Sequence, residues 1–238
     1  MNERKREFRA GLADGIPIGL GYLAVSFTFG IMAGDAGLTA PQAVVLSLTN
    51  LTSAGQFAGL GVIQAGASFA EMALTQLVIN LRYCLMSCSL SQKLSASMPF
   101  FHRFFMAYGV TDEIFGVSVC REGVLSPWYS YGLMGAAVPG WTLGTLLGGI
   151  SGSLLPQRIL NALNVALYGM FLAVILPPAR KNKVLMGIIL VSMAASLLFA
   201  KLPVLGEISS GFKIIILTIL IAGGAAFLFP VKEETKDA

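Results

Sequence analysis

Eight apolar segments follow one another along this chain, at 15–34, 41–66, 69–91, 104–120, 129–151, 158–178, 184–203 and 212–230, with short connections between them. Each approaches or exceeds the ~20 residues a helix needs to cross about 30 Å of hydrocarbon. No water at that depth satisfies backbone N–H and C=O groups, so runs of this length are read as helices that bond internally. Composition agrees: 55% of residues are hydrophobic and 12% charged, against about 25% charged in soluble domains. The expected fold is an all-α integral membrane protein, a polytopic helical bundle, with residues 1–238 forming a single transmembrane transporter domain.

The formal net charge is +4, and its placement argues for a membrane surface, not nucleic acid. Basic residues gather at segment ends, as Arg4, Lys5, Arg6 and Arg9, then Arg180, Lys181 and Lys183. Cytoplasmic flanks carry this excess, so both termini are expected in the cytoplasm. The first apolar stretch lacks a small-residue cleavage pattern and is followed by further spans, so it reads as a retained helix. Cys84, Cys88 and Cys120 lie in apolar surroundings and read as packed free thiols. The i, i+4 pair Cys84/Cys88 has no His or carboxylate partners that would suggest a metal site.

The second segment is interrupted at its centre by Asn50-Leu-Thr-Ser-Ala-Gly-Gln56. Irregular backbone survives at membrane depth only where protein or a water-filled cavity surrounds it. The spacing therefore suggests two half-helices in 41–66 that turn back as a re-entrant hairpin. Gly30-Ile-Met-Ala-Gly34 with Gly37, Pro41 and Gln42 is echoed by Gly144-Thr-Leu-Leu-Gly148 with Gly152, Pro156 and Gln157. The echo suggests half-repeats of roughly 10–122 and 123–232, and places 165–171, with Tyr168 and Gly169, opposite the interruption. Two topologies follow. Either all eight segments cross, with Lys93 and Arg103 outside and Arg121 inside, or 41–66 and 158–178 are re-entrant and six segments cross. The second puts Lys93, Arg103 and Arg158 with the main basic clusters and Asp35, Glu71 and Glu207 outside. It obeys charge asymmetry better and implies an inverted repeat, as in many secondary transporters.

Charged residues inside the apolar segments suggest what such a bundle does. Arg82 lies within 69–91 beside Asn80 and Tyr83, and Asp112 and Glu113 lie within 104–120. An ionisable group at bilayer depth costs roughly 2.5–3.5 kcal/mol on insertion scales, so it persists where it is paired or lines a polar path. Arg82 fits either a substrate carboxylate, through its planar fork, or an internal partner among the two acids. Adjacent helix residues point about 100° apart, so one acid can pair with Arg82 while the other titrates in a cavity and carries protons. The alternative is that the segment starts near the interface and both acids are wet. Asn50, Ser53, Gly55 and Gln56 would shape a midplane binding site, with Asn80, Tyr83 and Tyr22 as further contacts or walls; the alternative is helix–helix hydrogen bonding.

Elsewhere, Asp14 with Pro17 reads as the cap and first turn of the first helix. His102 reads as a solvated loop residue. Lys201 and Glu207 read as snorkelling ends, and Trp128, Tyr129 and Tyr131 as an interfacial aromatic belt. Walker A and dinucleotide fingerprints are absent, and one loop His argues against an intramembrane serine protease. The chain reads as no enzyme and needs no cofactor.

These residues, taken together, resemble the AzlC family, the large subunits of two-component branched-chain amino acid exporters. The likeness rests on Pro17-Ile-Gly-Leu-Gly-Tyr22, Phe27-Thr-Phe-Gly30, Ser53-Ala-Gly-Gln-Phe-Ala58, Asn80-Leu-Arg82, Thr111-Asp-Glu113 and Gly144-Thr-Leu-Leu-Gly148. It implies export of branched-chain and similar apolar amino acids across a bacterial inner membrane, with a small hydrophobic AzlD-type partner. In that family His often follows the Arg; Tyr83 stands there in this chain. The expected activity is proton-driven secondary export. A passive pore and a non-transporting scaffold subunit are the rival readings.

Overall fold

A computed structural model of the chain describes residues 3–152, 179, 180, 182–201 and 210–229, with single positions at 176 and 208. The described residues form helices and connecting turns, with no strand among them. In chain order these are α1 (Glu3–Asp35), α2 (Ala40–Thr49), α3 (Ala54–Gln64), α4 (Phe69–Ser91), α5 (Phe100–Tyr108), α6 (Asp112–Cys120) and α7 (Pro127–Ser151). They are followed by α8 (Lys183–Lys201), α9 (Ser210–Thr218), a wider turn of π-helix at Ile219–Gly223, and α10 (Gly224–Leu228). The segment 158–175, with Arg158, Tyr168 and Gly169, lies outside the described residues, as do Pro156, Gln157, Lys181 and Glu207.

The frame is the pair α1 and α7, both long and apolar enough to cross a membrane. Glycines recur on the facing sides and leave no room for a Cβ. One added to Gly11 would strike the Tyr129 carbonyl, one on Gly15 the Leu133 carbonyl, one on Gly144 the Leu23 carbonyl and one on Gly148 the Phe27 carbonyl. Small residues let backbones approach closely where lipid gives helices no hydrophobic reason to associate. The partners advance together along both helices, so α1 and α7 run parallel. The echo between Gly30–Gly34 and Gly144–Gly148 thus aligns two helices of the same direction.

Inversion appears elsewhere. Call the end of α1 that carries Glu3 the near end. From the far end, Ala40 starts α2 against Gly149, and Ser47 reaches Thr145 at 2.7 Å. The chain then breaks at Asn50–Ser53, and Gln56 returns a hydrogen bond to Ser47 at 3.3 Å. A helix continuing straight would carry Gln56 well out of that reach, so α2 and α3 form a hairpin, each arm about 15 Å long at 1.5 Å per residue. Helix α4 then runs from the far end to the near end, where Lys93 donates to the carbonyls of Val119, at 2.6 Å, and Arg121.

A second hairpin rises from the near end. His102 on α5 meets Tyr131 at 2.7 Å, near the start of α7, while Tyr108 at its other end donates to the Leu48 carbonyl in the first hairpin's tip. Helix α6 descends again, and Arg121 just beyond it pairs with Glu7 at 2.9 Å. The segment 104–120, expected as one crossing, is therefore split between two half-helices joined at Gly109–Thr111. Two hairpins of opposite entry meet tip to tip. Leu51 of one tip and Val110 and Ile114 of the other share a buried core with Tyr22, Tyr129 and Trp141.

Several local readings change. The 41–66 hairpin is present as the polar interruption suggested, and Lys93 and Arg103 share the near end with Arg4 and Lys5, as the re-entrant topology requires; Arg121 joins them, against that topology, because 104–120 turns back instead of crossing. Asp14 is not a cap: α1 begins at Glu3, Pro17 is interior, and Asp14 accepts a hydrogen bond from Tyr129 at 2.6 Å. Tyr129 is fully buried beneath Arg121, not part of an interfacial belt. His102 sits on a helix among Trp128 and Tyr131, not in a loop. The three cysteines are exposed on the chain surface, not packed inside.

Candidate functional site

The site lies where the hairpin tips meet α4 and α1. Helix α4 carries Gln76, Asn80 and Tyr83 along one face, at the i, i+4, i+7 spacing that aligns side chains, with Arg82 beside them. Arg82 Nη1 lies 2.6 Å from Asp112 Oδ2. Its Nη2 donates to the Tyr83 hydroxyl at 3.3 Å, and the guanidinium sits 5.0 Å from the Tyr83 ring centre. Arg82 Nε is buried with no partner among the described residues. The paired side chains retain 39% and 34% exposure, so the pair is open on one side and not sealed in protein.

Asp112 owes its place to the break before α6. Thr111 is the N-cap, its hydroxyl accepting from the Ile114 N–H at 3.3 Å, and Asp112 and Glu113 occupy the first helical turn. Carboxylates are favoured there by the helix dipole and the unsatisfied N–H groups. The two acids diverge as adjacent helix positions must. Asp112 reaches α4, while Glu113 Oε2 lies 2.5 Å from the Tyr22 hydroxyl of α1. The same hydroxyl contacts Thr111 Oγ1 at 2.7 Å. A phenol has one proton; the carboxylate takes it, and the Thr111 hydroxyl supplies its own.

The other tip is held by amides. Ser53, at φ 47°, turns the chain into α3, and Thr52 donates to Asn50 Oδ1 at 2.6 Å. Gln76 Nε2 donates to the Gly55 carbonyl at 2.8 Å, and Asn80 Nδ2 donates to Gln76 Oε1 at 3.1 Å. A Cβ on Gly55 would strike Thr52 Oγ1 in the tip itself and crowd Gln76 Oε1 at 2.9 Å and Asn80 Nδ2 at 3.0 Å. Gly55 thus allows the tip to sit on α4. Asn80 Oδ1 is left without a partner among the described residues. Gln56 turns the other way, into a buried chain through Ser47 and Thr145 to the Trp141 carbonyl.

The structure thus brings Arg82, Tyr83 and Asp112 into one contact, Tyr22 and Glu113 into a second, and Asn80 and Gly55 into a third through Gln76. Asn50 and Ser53 form the turn, and Gln56 faces away toward α7. Sequence reasoning passed over Gln76, Ser47 and Thr145. Gln76 was findable, four residues before Asn80; Ser47 and Thr145 meet only through a long-range contact. The pieces are a partly exposed guanidinium paired with an internal carboxylate, a second carboxylate hydrogen-bonded to a tyrosine hydroxyl, and an amide oxygen without a partner among the described residues. Among the described residues, no group of three His, Cys, Asp or Glu side chains could hold a metal.

Comparison with known proteins agrees with this architecture. The family profile described as AzlC protein matches residues 17–155, which contain both hairpins and the ion pair. An uncharacterized membrane protein of Archaeoglobus fulgidus is 31% identical, over 74% of this chain and 78% of the relative. Inner membrane protein YgaZ of Escherichia coli is 28% identical over 83% of this chain and 84% of its own. An uncharacterized membrane protein of Helicobacter pylori is 26% identical over 64% and 68%. No solved structure matches. The chain belongs to the AzlC family and is an all-α membrane protein.

Proposed function

We propose that this AzlC family member is the large subunit of a secondary transporter that exports branched-chain and similar apolar amino acids across the inner membrane. It acts with a small hydrophobic AzlD-type partner and draws on the proton gradient. The near end, with Arg4, Lys5 and Arg9, faces the cytoplasm, as do both termini. The observation that carries the reading is the half-exposed Arg82–Asp112 pair at the meeting point of two opposed half-length hairpins. A charged pair at that depth, left open on one side, is costly unless it serves a polar ligand.

An amino acid in zwitterionic form suits the pair. Its carboxylate replaces Asp112 on the Arg82 fork, and its ammonium group takes the freed Asp112, so neither internal charge is left alone. Asn80 Oδ1 offers a further acceptor. Tyr22, Tyr83 and the neighbouring apolar core suit an apolar side chain and offer no second charge. Glu113, sharing a proton with Tyr22, is the coupling group: when protonated it donates to the phenol oxygen, and when ionised it accepts.

A scaffold role is the second reading, favoured by the way Arg82 and Asp112 already satisfy each other within the chain. Efflux from cells preloaded with an isoleucine- or methionine-rich dipeptide separates the two. The strains are this chain alone, the chain with an AzlD-type partner, and Arg82→Gln with the partner. Export predicts faster efflux that needs the partner and is lost in Arg82→Gln while the protein still reaches the membrane. A scaffold predicts that Arg82→Gln either leaves efflux intact or fails to assemble.

A further inference from the structure

A second polar concavity lies at the near end, apart from the midplane pair. Helix α1 begins at Glu3, about two turns before Gly11 meets Tyr129, whereas α7 begins only at Pro127. The overhang leaves a notch of about 230 Å³ lined by Arg4, Lys5, Phe8, Arg9 and Trp128. Phe8 and half-buried Trp128 form an apolar floor, and the Arg4 guanidinium lies 5.4 Å from the Trp128 ring centre. Three cations rim the notch, and no acid is among its described lining residues.

We propose that this notch binds the headgroup of an anionic phospholipid. The phosphate would sit among Lys5, Arg9 and Arg4, with Trp128 and Phe8 at the level where headgroup meets acyl chain. The volume is below the ~300–1,000 Å³ of sites that enclose a drug-sized ligand, so it takes a headgroup while the acyl chains stay in the bilayer. Juxtamembrane cations draw anionic lipid to this leaflet, and Arg binds phosphate with two parallel donors. The notch also abuts the second hairpin. Trp128 lies 6.1 Å from His102, on the outer arm of the hairpin whose tip carries Asp112 and Glu113. A lipid held there steadies the base of that hairpin.

The test uses the full chain purified in detergent with phosphatidylglycerol or phosphatidylcholine, with retained lipid read by native mass spectrometry. Each cation near an anionic surface is worth roughly a fivefold factor. Lys5→Gln with Arg9→Gln is therefore expected to lower retained phosphatidylglycerol on the order of twentyfold. Arg180→Gln with Lys183→Gln, an equal charge loss elsewhere, should lower it little, and inorganic phosphate should not compete. Equal losses in both double variants, no loss in either, or displacement by inorganic phosphate would overturn the proposal. A measurement on the unaltered chain guards against misfolding: bromine-labelled phosphatidylglycerol, diluted in phosphatidylcholine, should quench Trp fluorescence more than bromine-labelled phosphatidylcholine at the same fraction. Equal quenching would overturn it as well.

Discussion

The α1–α7 seam and the meeting point of the hairpin tips lie side by side and solve opposite problems. Along the seam, glycines bring two parallel helices to backbone contact, and the buried Ser26 and Thr145 are satisfied within it. At the tips, helices end at mid-depth, an ion pair stays a third exposed, and Arg82 Nε and Asn80 Oδ1 lack partners among the described residues. Backbone contact fixes one arrangement and resists change, although Ser130 Oγ and Trp141 Nε1 on α7 also lack partners among the described residues. An open polar interface leaves its groups accessible, which is what the proposed ligand requires. The fold thus sets a closely packed frame beside an open polar contact.

The contrast is sharpest where a side chain is added to the seam. Gly148→Leu forces a side chain into the Phe27 backbone, with no flexible atom to give way. Overpacking of this kind costs about 1–3 kcal/mol or more, and loss of folded protein in fluorescence-detected size exclusion is the expected outcome. Normal yield would mean the helices are not in backbone contact.

At the tips, removing charge should cost less stability and more function. Arg82→Gln leaves Asp112 alone, but a pair this exposed keeps only part of the 3–5 kcal/mol penalty of a buried one; about 1 kcal/mol is expected. Arg82→Gln with Asp112→Asn should recover that stability in a thermal-shift assay without recovering efflux. Recovery of both would reduce the pair to a strut. Similar in stability is Gly55→Ala, which crowds Thr52 Oγ1 and the Gln76–Asn80 amides and should cost on the order of 1 kcal/mol. Substituting Gln76 with Ala as well should relieve only part of that cost, because Thr52 Oγ1 is the atom nearest the new Cβ. At the bottom of the scale is Gly21→Ala, a helical glycine on α1 with open space around it. It should be neutral or gain up to about 1 kcal/mol from helix propensity, and a loss as large as that of Gly148→Leu would erase the contrast.

The two hairpins also differ in how far the sequence disclosed them. The first is written in its residues: Asn50, Thr52, Ser53, Gly55 and Gln56 interrupt an apolar run. The second breaks at Gly109-Val-Thr111, where the only loop-like residue is one glycine, so hydropathy carries it through as a crossing. Its signal was of another kind, an N-cap Thr followed by two acids, which is how a helix begins. Read as charges inside a span, Asp112 and Glu113 already pointed to Arg82; read as a first turn, they would also have located the break. The direction of α7 followed from that miss, because one added crossing turns a parallel pair into an inverted one. The sequence carries 27 glycines, but the register of the seam comes only from the long-range contact.

The account rests on two half-length hairpins entering from opposite sides, and thiol accessibility in intact cells tests that most directly. In a background with Cys84, Cys88 and Cys120 replaced by Ser, single cysteines are placed at Asp35, Ala65, Ser97 and Glu122, then exposed to a membrane-impermeant reagent. The account predicts that positions 35 and 65 label from one side, and 97 and 122 only from the other. Opposite sides for 35 and 65, or for 97 and 122, would make that segment a full crossing and remove the meeting point at which Arg82 and Asp112 stand.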